Sequence, residues 1–180
     1  MPIRVSRFRH IQLRRILAIE EAAFPGEAYS RRMFLDLECE CGPLFYVARR
    51  GVRIVGYMVT CLERESAEIV SIAVHPEARG LGVGSALMRH TLSRLRRLGV
   101  SRLELMVRAT NAAAIRFYRR FGFRSVRRVR GYYEDGGDGL CYRLDPVRIE
   151  SATKPGATAP LRPGRGARDR CPDCPCPSSD

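Results

Sequence analysis

The stretch that most constrains this chain runs from an apolar, β-branched segment, "IVSIAV" (69–74), through "HPEARGLGVG" (75–84) into the amphipathic run "SALMRHTLSRLRRLG" (85–99). A strand therefore hands over to a helix through a turn carrying Gly80, Gly82 and Gly84. Such a turn gathers consecutive backbone N–H groups at one point, lets ligand oxygens approach the chain closely, and adds the positive end of the helix dipole, so it is suited to holding a phosphate. It lacks the Gly-Lys-Ser/Thr ending of the P-loop and the G-x-G-x-x-G spacing of the dinucleotide fingerprint. The alternative is that the glycines only make a tight turn and a close helix crossing.

The rest of the chain alternates between the two periods of secondary structure. "IRV" reads as a strand and "IQLRRILAIEEAAF" as a helix, with Ile11, Ile16, Leu17 and Phe24 at helical spacing and Pro25 as its stop. Ser30 is an N-cap for a short helix carrying Met33, Phe34 and Leu37. "LFYVARR", "VRIVGYMVTCLE" and "AEIVSIAVH" form an expected antiparallel meander. Gly99 ends the next helix, "RLELMVRA" is a strand, Thr110 or Asn111 caps the helix "AAAIRFYRRF", and "SVRRVRGYY" and "GLCYRL" are strands around the turn "EDGGDG". Three consecutive strands without intervening helices predict a mixed α/β (α+β) sheet and exclude a doubly wound one. Residues 147–180 hold six prolines, three glycines and almost no apolar period, which predicts a disordered tail behind a single domain over 1–146.

The formal charge of +13 invites a polyanionic partner. Only Lys154 among the 32 basic residues is a lysine, however, and the arginines are spread along the whole chain. A solvated basic surface is therefore expected rather than a nucleic-acid site. No apolar run has the length of a membrane span, and "MPIRVSRFRH" lacks a secretory core, so cytoplasmic residence without a membrane association is expected. In that compartment the seven cysteines are expected as reduced thiols, with Cys61 and Cys141 as small core residues. The tail thiols Cys171, Cys174 and Cys176 have ligand-like spacing, but a closed zinc site needs a fourth ligand, so no metal is expected.

Arg79-x-x-Gly82-x-Gly84 resembles the R/Q-x-x-G-x-G/A signature of the GNAT superfamily of acetyl-CoA-dependent N-acetyltransferases, and "NAAAIRFYRRFGF" (111–123) resembles its second signature. The resemblance spans residues 1–146. It implies a mixed, mostly antiparallel central sheet of about seven strands flanked by about four helices. Within the superfamily, "AAFPGEAYS", "VRATNAAAIRFY" and "RGYYEDGGDG" are similar to the ribosomal-protein alanine N-acetyltransferases (RimI-like), whose first and third corresponding stretches close over an incoming protein N-terminus.

The resemblance also assigns roles. The backbone of Ile72, Ala73 and Val74 would pair with the pantetheine arm, and Arg79, Gly80, Leu81, Gly82, Val83, Gly84 and Ser85 would hold the pyrophosphate. Asn111 would bond the cofactor chain. Tyr118 would be the general acid; the alternative for it is a buried core tyrosine.

The general base departs from the pattern, because Met106 stands where the RimI-like enzymes carry glutamate. Glu104, about 7 Å along the same strand face, and Glu68, which resembles the glutamate of histone acetyltransferases on the preceding strand, are the candidates, with Glu68 preferred. Each has the alternative of a solvent-facing or ion-paired carboxylate. An α-amine with pKa near 8 is about a tenth free base near neutrality, whereas a lysine near 10.4 is far less so. A remote base therefore favours a protein N-terminus, such as that of a ribosomal protein, over a lysine; the alternative among enzymes is a GNAT that acetylates a small amine or a lysine. A domain that binds acyl-CoA without catalysing remains the alternative of a different class.

Overall fold

The extended runs assemble into one seven-stranded sheet in the computed structural model, which describes residues 1–64 and 66–145. In chain order the elements are β1 (Ile3–Arg7), α1 (Leu13–Ala23), α2 (Arg31–Cys41), β2 (Phe45–Arg50), β3 (Arg53–Glu63), β4 (Ser66–Val74), α3 (Val83–Arg97), β5 (Arg102–Arg108), α4 (Ala112–Arg119), β6 (Arg124–Val129) and β7 (Gly139–Leu144). The strands lie in the order β1-β2-β3-β4-β5-β7-β6. Among the described residues only β4 and β5 run parallel, joined by the crossover helix α3; the other pairs are antiparallel. The expected mixed sheet with four helices is thus present. The expected tail 147–180, with its cysteines, lies outside the described residues. No helix of the described residues is long and apolar enough to cross a membrane.

Two buried clusters cover the two faces of the sheet. Leu87, Met88, Leu92 and Leu95 of α3 and Phe117 and Tyr118 of α4 pack on one face against Ile69, Ile72, Leu105 and Val107. On the other, Leu13, Ile16 and Ile19 of α1 and Phe34 and Leu37 of α2 pack on Phe45, Tyr57, Val70 and Ala73. The spacing of three and four along each helix follows from 3.6 residues per turn. Ser30 caps α2 by accepting from Met33 N at 3.2 Å, and Gly99, at φ +72°, closes α3.

Three local expectations are corrected. Helix α1 starts at Leu13, because His10–Gln12 form a 3-10 turn in which Gln12 accepts from Arg9 N at 2.9 Å; Ile11 is consequently exposed. Strand β6 ends at Val129, because the chain turns at Gly131 (φ +60°), whose N–H is held by Asp138 Oδ1 at 3.0 Å, so Tyr132 and Tyr133 belong to a loop. Cys61 is not a free thiol: the end of α2 meets β3, bringing Cys41 and Cys61 to a Cα separation of 4.7 Å in a disulfide. Cys141 is a free, buried thiol.

Gly56 of β3 lies where the start of α3 crosses the sheet. A Cβ there would meet the Ala73 carbonyl oxygen and Val83 Cγ1, each at 2.9 Å. Gly56→Ala is therefore expected to destabilise the protein by about 1–3 kcal/mol through overpacking, read as a lower denaturant midpoint with an unchanged slope.

Candidate active site

Strands β4 and β5 are paired only from Ser66↔Arg102 to Ile69↔Leu105. Beyond that point β5 stays with β7, through Met106↔Cys141, Val107↔Leu140 and Arg108↔Gly139, while Ile72, Ala73 and Val74 stay with Met58, Tyr57 and Gly56 of β3. A register shift between Val59 and Thr60 breaks the alternation at Val70–Ser71, where the strands part. The edge of Ile72–Val74 that faces β5 thus has no strand beside it among the described residues, and its backbone groups can accept an extended partner.

The β4–α3 turn stands at the open end of this cleft. Gly80 and Gly82 have φ of +77° and +82°, a region that L side chains rarely adopt. A Cβ on Gly80 would meet nothing within 4 Å, so the turn faces open space. Gly82 is the N-cap of α3 and provides no side-chain cap, which leaves the first N–H groups of the helix, those of Val83, Gly84 and Ser85, to an outside acceptor. Arg79 at the turn has a buried Nε without a partner, whereas the Val83 and Ser85 side chains are buried and Leu81 is exposed.

Helix α4 starts where β5 ends, with Asn111 N bonded to Arg108 O at 2.9 Å. Asn111, rather than Thr110, is the cap, accepting from Ala114 N at 3.0 Å. Tyr118 is fully buried in the same cluster as Ile72 and Val74 of β4 and Leu105 and Val107 of β5, between Phe117 and Phe123. Its hydroxyl has no hydrogen-bond partner among the described residues. Burial, with a smaller contribution from Tyr133, holds the Tyr118 phenol well above its ordinary pKa, so it keeps its proton. An uncapped helix start, an unpaired strand edge and an orphaned buried hydroxyl fit the phosphate, amide and sulfur ends of acetyl-CoA.

The two candidate carboxylates stand opposite each other in the β4–β5 register. Glu104 is bound to Arg143 Nε of β7 at 2.7 Å, the ion-paired alternative for this residue. Glu68 is half-buried between Cys61 of β3 and Glu104. Met106 stands nearer the parting of the strands and is buried.

Two groups of residues escaped sequence reasoning. Arg108 holds Asp135 of the β6–β7 loop at 2.7 and 2.8 Å, lies 4.1 Å over the Tyr133 ring and reaches Glu27 of the α1–α2 loop at 3.5 Å. One guanidinium thus clasps both loops that flank the cleft. Arg108→Ala is expected to raise the acceptor KM about tenfold with the acetyl-CoA KM unchanged, in steady-state kinetics.

Behind this clasp, Glu20 of α1 is buried, accepts from Tyr29 N at 3.0 Å and is hydrogen-bonded by the Tyr57 hydroxyl, which also meets Ser71 Oγ at 2.9 Å. Burial and the Glu20 carboxyl push the Tyr57 phenol well up. This network ties the α1–α2 loop to β4 at the point where the strands part.

Residues 13–123 match the family described as acetyltransferase (GNAT). An N-alpha-acetyltransferase of Sulfolobus acidocaldarius is 34% identical over 136 residues, covering 68% of this chain and 80% of the relative. The ribosomal protein bS18 alanine N-acetyltransferase of Escherichia coli is 34% identical over 129 residues, covering 71% and 84%. The crystal structure of Ard1 from Thermoplasma volcanium superposes with a TM-score of 0.78 at 28% identity, covering 82% of this chain and 100% of that one.

Proposed function

The chain belongs to the acetyltransferase (GNAT) family, and from that premise we propose that this N-acetyltransferase moves the acetyl group of acetyl-CoA to the N-terminal α-amine of a protein. The observation that carries the acceptor class is the state of the carboxylates: Met106 has no proton-accepting group, and Glu104 is engaged by Arg143. Glu68, opposite Glu104 in the strand register, is the base of this reading, acting through a water. So remote a base suits an amine that is already partly neutral at physiological pH, which an α-amine is and a lysine is not.

Acetyl-CoA supplies a thioester whose acetyl carbon the neutral amine attacks, with loss of the thiolate. The backbone of Ile72–Val74 would hold its pantetheine arm as an added strand, and Arg79–Ser85 its pyrophosphate. Asn111, already spending Oδ1 on its helix, would offer its amide to the cofactor chain. Tyr118 would give its phenolic proton to the leaving sulfur, and Glu68 would take the amine's proton. The loops clasped by Arg108 would position the acceptor. Because two relatives are named for protein N-termini, one of them on a ribosomal protein, a ribosomal-protein N-terminus in the cytoplasm is the acceptor to try first.

The pH profile tests this. With an Ala-led peptide, kcat/KM is expected to rise along a single limb to an apparent pKa of about 8, that of the acceptor amine. A profile already flat above about pH 6 would mean that the enzyme itself deprotonates the bound ammonium, which a remote base does not do, and would overturn this reading.

A further inference from the structure

Outside the cleft, on the far side of the β4 tip, a groove of about 760 Å³ lies between α1, the β2–β3 hairpin and His75–Ala78. None of the residues lining it belongs to the Arg79–Ser85 turn, to β5 or to α4. Its rim carries Arg15, Arg49, Arg50, Arg53 and His75 against one carboxylate, Glu77. Glu77 stands 3.9 Å from both Arg53 and His75, beyond hydrogen-bond distance, so it neutralises little of this charge.

The arginines are placed unfavourably toward one another. Arg50 stands directly opposite Arg53 across the hairpin, and Arg49 directly opposite Arg4 of β1. Like charges facing each other across strands repel. The Arg49 Nε is also buried without a partner among the described residues, an N–H that costs free energy until an acceptor reaches it. The floor, in contrast, is apolar, with Ala18, Ile19, Ile54 and Val55. Concentrated guanidinium donors above an apolar floor, in a volume of small-molecule size, match an anion of several charges attached to an apolar ring.

We propose that this groove is a second anion site, separate from the acetyl-CoA cleft, that takes a small organic polyphosphate of the nucleoside-triphosphate class. Arg49, Arg50 and Arg53 bind the phosphates, and Ile19 and Ile54 carry the apolar ring. The site is independent of the acceptor assigned above. His75 and Ala78 belong to it and lead directly into Arg79, so an occupant couples to the affinity for acetyl-CoA.

The test is calorimetric titration of the full chain with ATP and, separately, with inorganic tripolyphosphate, each with and without saturating CoA. The expected result is one saturable ATP site that persists in CoA, is weaker for tripolyphosphate, and loses at least about tenfold in affinity (1.4 kcal/mol) in Arg49→Gln/Arg53→Gln. Arg32→Gln, a solvent arginine on α2, leaves it unchanged, and melting temperatures verify that each variant is folded. Complete displacement of ATP by CoA would overturn the proposal, because the groove would then serve acetyl-CoA itself. So would equal loss in Arg32→Gln, or non-saturable binding that an RNA oligonucleotide reproduces, since either describes a diffuse basic surface.

Discussion

Tyr118→Phe is expected to lower kcat by about 10²–10⁴-fold, the contribution of a positioned general acid, and at the same time to raise the stability of the protein. The two effects share one cause. The phenolic oxygen is buried with no hydrogen-bond partner among the described residues, so no protein group there compensates its burial; removing it should stabilise by about 1 kcal/mol. A tyrosine serving only the core would give a stability change with kcat intact. Thermal melting and single-turnover rates on the same preparation separate these cases, because acetyl-CoA binding is expected to stay within about twofold of the parent. A variant with unchanged turnover would remove Tyr118 from the acid role.

Glu20→Ala is the substitution with the largest expected cost to stability. It leaves the Tyr29 N–H without its acceptor and removes one partner from the Tyr57 hydroxyl, both inside the protein, for a loss of about 3 kcal/mol or more. Glu20→Gln should recover most of it. The amide oxygen can accept from Tyr29 N, the amide nitrogen can donate to the Tyr57 oxygen, and the Tyr57 proton can turn to Ser71 Oγ, already 2.9 Å away. Because Tyr29 belongs to the α1–α2 loop, the alanine variant is also expected to raise the acceptor KM while the acetyl-CoA KM stays put. Equal changes in both constants would mean that the network supports the fold as a whole and not that loop. Denaturant unfolding and steady-state kinetics with each substrate varied provide the readings.

The parts of this protein that were legible in its sequence are those set by local chemistry. The Gly80–Gly84 turn announces itself because only glycine sits comfortably at φ near +80°, and Gly80 and Gly82 do adopt that conformation. Asn111 and Ser30 read as caps because short polar side chains before apolar runs satisfy free helix N–H groups, and both do so here. Element order followed from hydrophobic periods, since each helix had to bury one face.

What was not legible depends on residues far apart in the chain. Ile11 kept helical spacing, yet the 3-10 turn before α1 left it in solvent. Cys41 and Cys61 lie twenty residues apart and become neighbours only when α2 packs on β3. Glu20 reads as one more polar position on an amphipathic helix, and only the strand opposite, with Tyr57, makes it a buried hub. Arg108 stands in a recognisable stretch, but its partners come from two loops that no local signal brings together. Glu104 reads from the sequence as a candidate base, and only the β5–β7 register shows that Arg143 stands beside it. A charge pair across strands follows from register, and register is fixed by the whole sheet.

Acetyl transfer to an N-terminal α-amine, as proposed here for the protein, can be read directly from the site of modification. The direct test uses two peptides of one Ala-led, lysine-containing sequence, one with a free N-terminus and one blocked there, each incubated with the protein and acetyl-CoA and mapped by tandem mass spectrometry. The expected result is one acetyl group on the free α-amine, none on the lysine, and no product from the blocked peptide. Acetyl-lysine in the blocked peptide, at a rate comparable with that of the free one, would contradict it.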